Sequence, residues 1–281
     1  MKLLGSKSLI KLLHHTADVG AAVEPVDVNT ALLLALAFGV VPLFLGLANS
    51  RLSFRFHDSV KAFIVGAAFG ITILSIWDLF QGASGLGLNL GPESSNIQSL
   101  LLLAFSIGLF VSFVVERSNK SMGNAQIQIT SYAVAYAFAM IVGFHAFAEG
   151  IIIGFDLQSG YAFTFTQRTV QALSFILHKV AEGIVISVPI MLIRPRSDVF
   201  ILAGIIGSMP LLVGIALAYI GIPGSLASYA FALAVGGSTY ILLRLGYISY
   251  RVAGSKMLLL AGIIVGLLFM YFAGWIHTIE I

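Results

Sequence analysis

Eight stretches of this chain are each apolar for about 20 residues, the length a helix needs to cross the hydrocarbon of a bilayer. They fall near 30–49, 60–82, 98–116, 131–155, 168–193, 199–222, 226–250 and 255–277. Inside lipid no water is available to satisfy the backbone, so continuous apolar segments of this length fold as helices. The expected fold class is therefore an all-α integral membrane protein with eight transmembrane helices. Composition agrees. Only 10% of the 281 residues are charged and 59% are hydrophobic, against about 25% charged in a soluble domain. The mean hydropathy of +1.01 places most of the chain in lipid.

The basic pI of 9.2 does not point to nucleic acid. Net charge is only +3, and the basic residues are dispersed over short loops. That dispersal sets topology. Arg51, Arg55 and Lys61 lie between spans 1 and 2, Arg117 and Lys120 between 3 and 4, Arg194 and Arg196 between 5 and 6, and Arg251 and Lys256 between 7 and 8. The opposite loops hold only Arg168. The positive-inside rule puts the four basic loops in the cytoplasm and both termini outside, in a multi-pass protein of the cell membrane. There is no cysteine, so disulfides and thiolate metal sites are excluded.

Residues 1–29 form an N-terminal extracytoplasmic or interfacial segment, ahead of one eight-helix domain over 30–277. Leu3, Leu4, Ile10, Leu12 and Leu13 alternate with Lys2, Lys7 and Lys11, as in a short helix lying on a membrane surface. Connections are short, with Gly82–Gly85, Gly91–Ser94 and Gly221–Gly224 as punctuation. Small residues recur at helical spacing, at Gly150 and Gly154, Gly183 and Ser187, and Gly204 and Ser208. They are expected to pack helices closely. Pro189 and Pro210 fall within spans 5 and 6, where each removes a backbone hydrogen bond.

Two copies of one pattern carry the chemistry. His145-Ala-Phe-Ala-Glu149-Gly150 lies in span 4, and His178-Lys179-Val-Ala-Glu182-Gly183 in span 5. Four residues of spacing puts each imidazole and its carboxylate on one helix face, about 6 Å apart along the axis. Spans 4 and 5 run in opposite directions. Glu149 is then level with His178, and His145 with Glu182. Ionisable groups at this depth are costly and mark functional sites. Two carboxylates balance a dication, and two imidazoles supply nitrogen ligands that suit zinc, iron, manganese or cobalt. Mere helix–helix pairing explains one such motif, but two at matching depth much less well.

The paired motifs resemble the fourth- and fifth-helix signatures of the ZIP (Zrt/Irt-like) family of divalent metal transporters, in a form without a His-rich loop. Span 2, with Gly66-Ala-Ala-Phe-Gly70 and Asp78-Leu-Phe80, and span 7, with Gly236, Gly237, Ser238 and Tyr240, are similar to that family's second and seventh helices. The resemblance implies eight helices and import of Zn2+ as substrate, with Fe2+, Mn2+ or Cd2+ as further candidates. It implies a metal pathway from helices 4 and 5 with help from 2 and 7, and sliding of one helix bundle against another. It implies metal ligands at His145, Glu149, His178 and Glu182, and no organic cofactor. The chain departs from the common pattern at Ala146, Ala148, Ala181 and Lys179, and span 7 has no acidic residue. One metal is therefore expected rather than two, with the Lys179 ammonium in the place of a second cation, near Glu149 or Glu182.

Other polar residues carry smaller expectations. Asp78 marks the end of span 2 or attracts incoming cations. Lys179 and Ser187 are pathway or tuning residues, and Ser106, Ser174 and Gln171 also lie inside spans. Arg244 fits a side chain that snorkels to the interface. Glu116, Asp58, His57 and His277 read as helix-end or interfacial groups, and His14 with His15 as weak collectors of metal. The expected partners are the metal ion, the lipid bilayer and, compatibly, a second copy in a homodimer, with no nucleic acid. No enzymatic role is expected. The rival readings are an intramembrane metalloenzyme, or a metal-binding sensor or inactive carrier. The first lacks a His-Glu-x-x-His signature and a spare general base.

Overall fold

The computed structural model describes residues 25–88, 94–120, 130–158, 165–252 and 254–278. His14, His15 and most of the N-terminal segment lie outside them, as do the side chains of Glu116, Arg117, Lys120, Arg168, Gln171 and His277. The described residues contain no strand. Their helices are α1 (Val28–Ser53), α2 (Asp58–Leu88), α3 (Ser94–Lys120), α4 (Tyr132–Gln158), α5 (Phe165–Leu192), α6 (Ser197–Tyr219), α7 (Ser225–Arg251) and α8 (Lys256–Thr278). Seven are long and apolar enough to cross a membrane, making this a multi-pass membrane protein. In α3 the described apolar run, Gln98–Val114, is shorter. Large apolar side chains stand exposed along α3 and α8, among them Leu102, Phe110, Met257 and Tyr271, as a lipid-facing surface requires.

Local chemistry explains the ends and interruptions. Asp27 caps α1, its carboxylate accepting from the amides of Asn29 (3.0 Å) and Thr30 (3.1 Å) and from the Thr30 hydroxyl (2.5 Å). The Thr30 hydroxyl, followed by its amide, holds the Asp27 carboxyl below the ordinary carboxylate range. The start of α1 is also tied to its neighbours, with Val26 N donating to Leu157 O (3.1 Å) and Tyr219 Oη donating to Val26 O (2.6 Å). Within α1 a π turn over Leu36–Val40 precedes Pro42. Proline has no amide to offer the carbonyl one turn back, and a widened turn absorbs the mismatch.

One expectation is corrected. Gly82–Gly85 does not end α2, which continues to Leu88. Gly82 lies against the Phe231 ring of α7, where an added Cβ would sit 3.2 Å from ring carbons. The glycine there serves a helix crossing and makes no turn.

Helix pairing follows the glycines. Gly46 of α1 and Gly183 of α5 face each other: a Cβ on either would fall 2.1–2.2 Å from a carbonyl oxygen of the opposite helix. Gly150 of α4 and Gly214 of α6 do the same at 2.2 and 2.3 Å. Equivalent contacts join α2 to α8 and α3 to α7. Such backbone-to-backbone approach is how helices gain contact in lipid, where burial of apolar surface offers no net drive. The most extensive pairings are α4 with α6, α2 with α8, α1 with α5, and α7 with both α2 and α3; we take α1, α4, α5 and α6 as one group and α2, α3, α7 and α8 as the other, with α4 also packing on α7 across the boundary. Among the described residues, every helix glycine whose Cβ would lie within 2.5 Å of another helix's carbonyl oxygen faces a helix of its own group. Where the groups meet, the atoms nearest a Cβ on Gly237 of α7 belong to the Ile141 side chain of α4.

Candidate metal centre

The site lies where α4 and α5 of one group meet α2 and α7 of the other. Its helix on one side is alanine-rich, with Ala133, Ala135, Ala137, Ala139, Ala146 and Ala148 all buried, and alanine favours helix while keeping the surface thin. Ala146 packs among Ala31, Ala35, Leu211 and Ile215, and Ala148 among Phe231, Ala230 and Ala234. The flanks of the motif are thereby fixed, and His145 and Glu149 are left pointing to a common point.

The structure brings together all four sequence-predicted ligands. One ligand atom each from His145, Glu149, His178 and Glu182 lie within 4.8 Å of one another. His145 Nδ1 is 2.9 Å from Glu182 Oε1, so the expected level pairing of these two is present. His145 Nε2 is 3.3 Å from Glu149 Oε1, and His178 Nε2 is 3.4 Å from Glu182 Oε1. The two imidazoles meet edge-on, with ring centroids 5.2 Å apart. Phe231 of α7 closes one side, its ring centroid 6.0 Å from that of His145. Among the described residues His178 Nε2 is buried without a hydrogen bond of good geometry. A buried nitrogen of this kind is costly unless a proton donor or a metal meets its lone pair.

Lys179 is the fifth member. Its side chain is 1% exposed. Its Nζ lies 2.7 Å from Glu182 Oε2 and 2.9 Å from Glu182 Oε1. It also pairs with Glu149 Oε2. The ammonium thus bridges both carboxylates, where the sequence suggested one or the other. Glu182 is the hub, touching both imidazoles and the lysine, and its side chain is 5% exposed against 16% for Glu149.

The remaining predicted residues lie elsewhere. Asp78 is exposed on α2, apart from the four grouped ligands. Ser187 donates to Ile184 O (2.7 Å) and accepts from Asn49 Nδ2 of α1 (3.1 Å), and Ser53 Oγ donates to Asn49 Oδ1 (2.6 Å). Ser187 therefore fastens α5 to α1 at the turn below Glu182. Ser174 Oγ donates to Ala273 O of α8 (2.7 Å), and Ser106 Oγ to Leu102 O of its own helix (2.9 Å). Arg244 lies over the Tyr247 ring at 5.0 Å. Asp58 pairs with Lys61 at 3.3 Å, and His57 is exposed.

Sequence reasoning missed a small cavity beside the cluster, of about 20 Å³, room for a single water. His145 and Glu182 line it on one side, and Thr72, Ser75 and Ser238 of α2 and α7 on the other. Thr72 and Ser75 donate their hydroxyl protons to Ala68 O and Ile71 O of their own helix. Their oxygens are left as acceptors, the polarity a hydrated cation needs. Two hydroxyls three residues apart in an apolar span were the available signal.

Two imidazoles and two carboxylates can hold one divalent transition metal. No protein-family model and no curated protein matches the chain.

Proposed function

We propose that the protein is a carrier of divalent transition-metal ions, zinc foremost and iron, manganese or cadmium next, that moves its cargo into the cytoplasm across the cell membrane. The observation that carries the reading is the convergence of His145, Glu149, His178 and Glu182 on one buried point between long apolar helices. This cluster sits at the junction of two helix groups, next to a small cavity lined by both, to which Thr72, Ser75 and Ser238 bring hydroxyls. Within the group holding α4 and α5, glycine contacts fasten α4 to α6 and α1 to α5, while at its boundary with the other group Gly237 meets a side chain. That supports movement of one group past the other, with the cluster exposed first to one side and then to the other. Eight spans with both ends outside, one bound metal and membership of the ZIP family complete the proposal. Asp78 is assigned to the approach from outside.

The test is uptake of radiolabelled zinc into proteoliposomes containing the purified protein. The expected result is saturable influx, inhibited by excess cadmium, manganese or ferrous ion and not by magnesium or calcium, which prefer all-oxygen sites. Stoichiometric zinc binding without influx of any of these metals would replace the carrier with a sensor.

A further inference from the structure

We propose that Lys179 is a tethered counter-cation: it takes the metal's place on the two carboxylates when the site is empty, and so lets the unloaded carrier reorient without a second transported ion. The inference rests on the carrier reading and adds to it the step by which the empty site returns.

The geometry sets metal and ammonium against each other. Lys179 Nζ contacts Glu149 Oε2 on α4 and both carboxylate oxygens of Glu182 on α5. Those carboxylates belong to the ligand group a metal would use. An ion that draws the four ligands together must displace the ammonium. The lysine is built to yield. It is a point charge on a flexible four-carbon stem, unlike the planar fork of arginine. Four residues back on the same helix, Phe175 presents its ring 5.4 Å from Nζ. The ring thus already flanks the ammonium in its bridging position, at cation–π range.

Charge counting shows what the device achieves. Counting the acidic and lysine side chains only, the two carboxylates leave the empty site at −2, and the bound dication brings it to zero. With Lys179 included the same two states are −1 and +1. The cost of burying charge rises with its square, so the lysine eases the empty state, which the return step uses, at the expense of the loaded one. Without it the loaded carrier crosses easily and the empty carrier is trapped. Net uptake needs the empty return at every turnover. Exchange of external for internal metal never uses it.

The experiment compares wild type with Lys179→Met, which keeps length and removes charge, in proteoliposomes assayed with labelled zinc. One set contains no internal metal and reports net influx; the other contains unlabelled zinc and reports exchange. Zinc affinity is measured on the same preparations. The proposal expects tighter binding in Lys179→Met and a ratio of net influx to exchange at least about tenfold below that of wild type. An unchanged ratio overturns it. Loss of zinc binding in the variant also overturns it, since the lysine would then assemble the site instead of competing for it. If wild type shows neither flux, the carrier reading itself falls, and the return step with it.

Discussion

Replacing Glu182 with alanine is expected to abolish zinc uptake and to weaken zinc binding by at least about 100-fold, since even the partners behind metal ligands are worth 10–100-fold. Glu182 is the residue on which the cluster converges. Its oxygens lie 2.9 Å from His145, 3.4 Å from His178 and 2.7 Å from Lys179. The alanine variant removes one of four ligands and half of the negative charge, and takes the Glu182 contact from both imidazoles, His145 keeping the one to Glu149. Glu149→Ala is expected to do less, with a loss of about tenfold in affinity, within the range for a partly replaceable oxygen ligand. Glu149 is the more exposed carboxylate and, among the described residues, pairs with His145 and Lys179, so water can fill its position. Glu182→Gln separates charge from shape. It keeps the side chain's volume and is expected to fold as wild type while binding zinc nearly as poorly as the alanine variant. Isothermal titration in detergent measures all three. Equal losses at positions 149 and 182 would contradict the ranking.

The second large effect is expected at Gly183. A Cβ there would lie 2.2 Å from Leu43 O, 2.7 Å from Leu47 N and 2.9 Å from Gly46 Cα. All three are backbone atoms of α1, so no rotamer change relieves the clash. The helices must separate by more than about 1 Å to restore ordinary contact near 3.5 Å. Gly183→Val is therefore expected to destabilise the protein by about 3 kcal/mol or more, at the upper end of overpacking effects. It should impair zinc binding as well, because Glu182 is the preceding residue on the same helix. Two other glycines serve as controls. Gly274 has nothing within 4 Å of its would-be Cβ, and Gly274→Ala is expected to leave the thermal midpoint unchanged or slightly raised. Gly221 also faces open space but has φ +84°, so Gly221→Ala is expected to cost about 1 kcal/mol from backbone strain alone. Thermal unfolding of the purified variants reads this order, and a Gly183 variant as stable as the Gly274 one would refute the packing account.

Much of the site was legible in the sequence because its grammar is local. A spacing of four puts His145 with Glu149 and His178 with Glu182 on single helix faces, and antiparallel direction brings His145 level with Glu182. The position of Lys179 beside the carboxylates follows from the same periodicity. Helix partners were less legible. Sequence order suggested that α4 and α5 are neighbours, and they do meet at the site. Yet α4 packs most extensively on α6, and α5 on α1. Those choices come from Gly150 against Gly214 and Gly46 against Gly183. A glycine's meaning depends on what lies across from it, which its own helix does not encode. The same reason hid the crossing at Gly82, where a glycine cluster looks like a turn until the Phe231 ring is placed against it. Asn49 escaped notice because its partner Ser187 is 138 residues away.

The most direct test of the account is the X-ray absorption spectrum of the zinc-loaded protein at the zinc edge. Four ligands from His145, Glu149, His178 and Glu182 predict a single low-coordinate shell of nitrogen and oxygen at about 2.0–2.1 Å, with the outer scattering of two imidazole rings. His178→Ala should remove one ring's contribution. A six-coordinate, all-oxygen shell without imidazole scattering would mean that zinc binds elsewhere, and the central claim would fail.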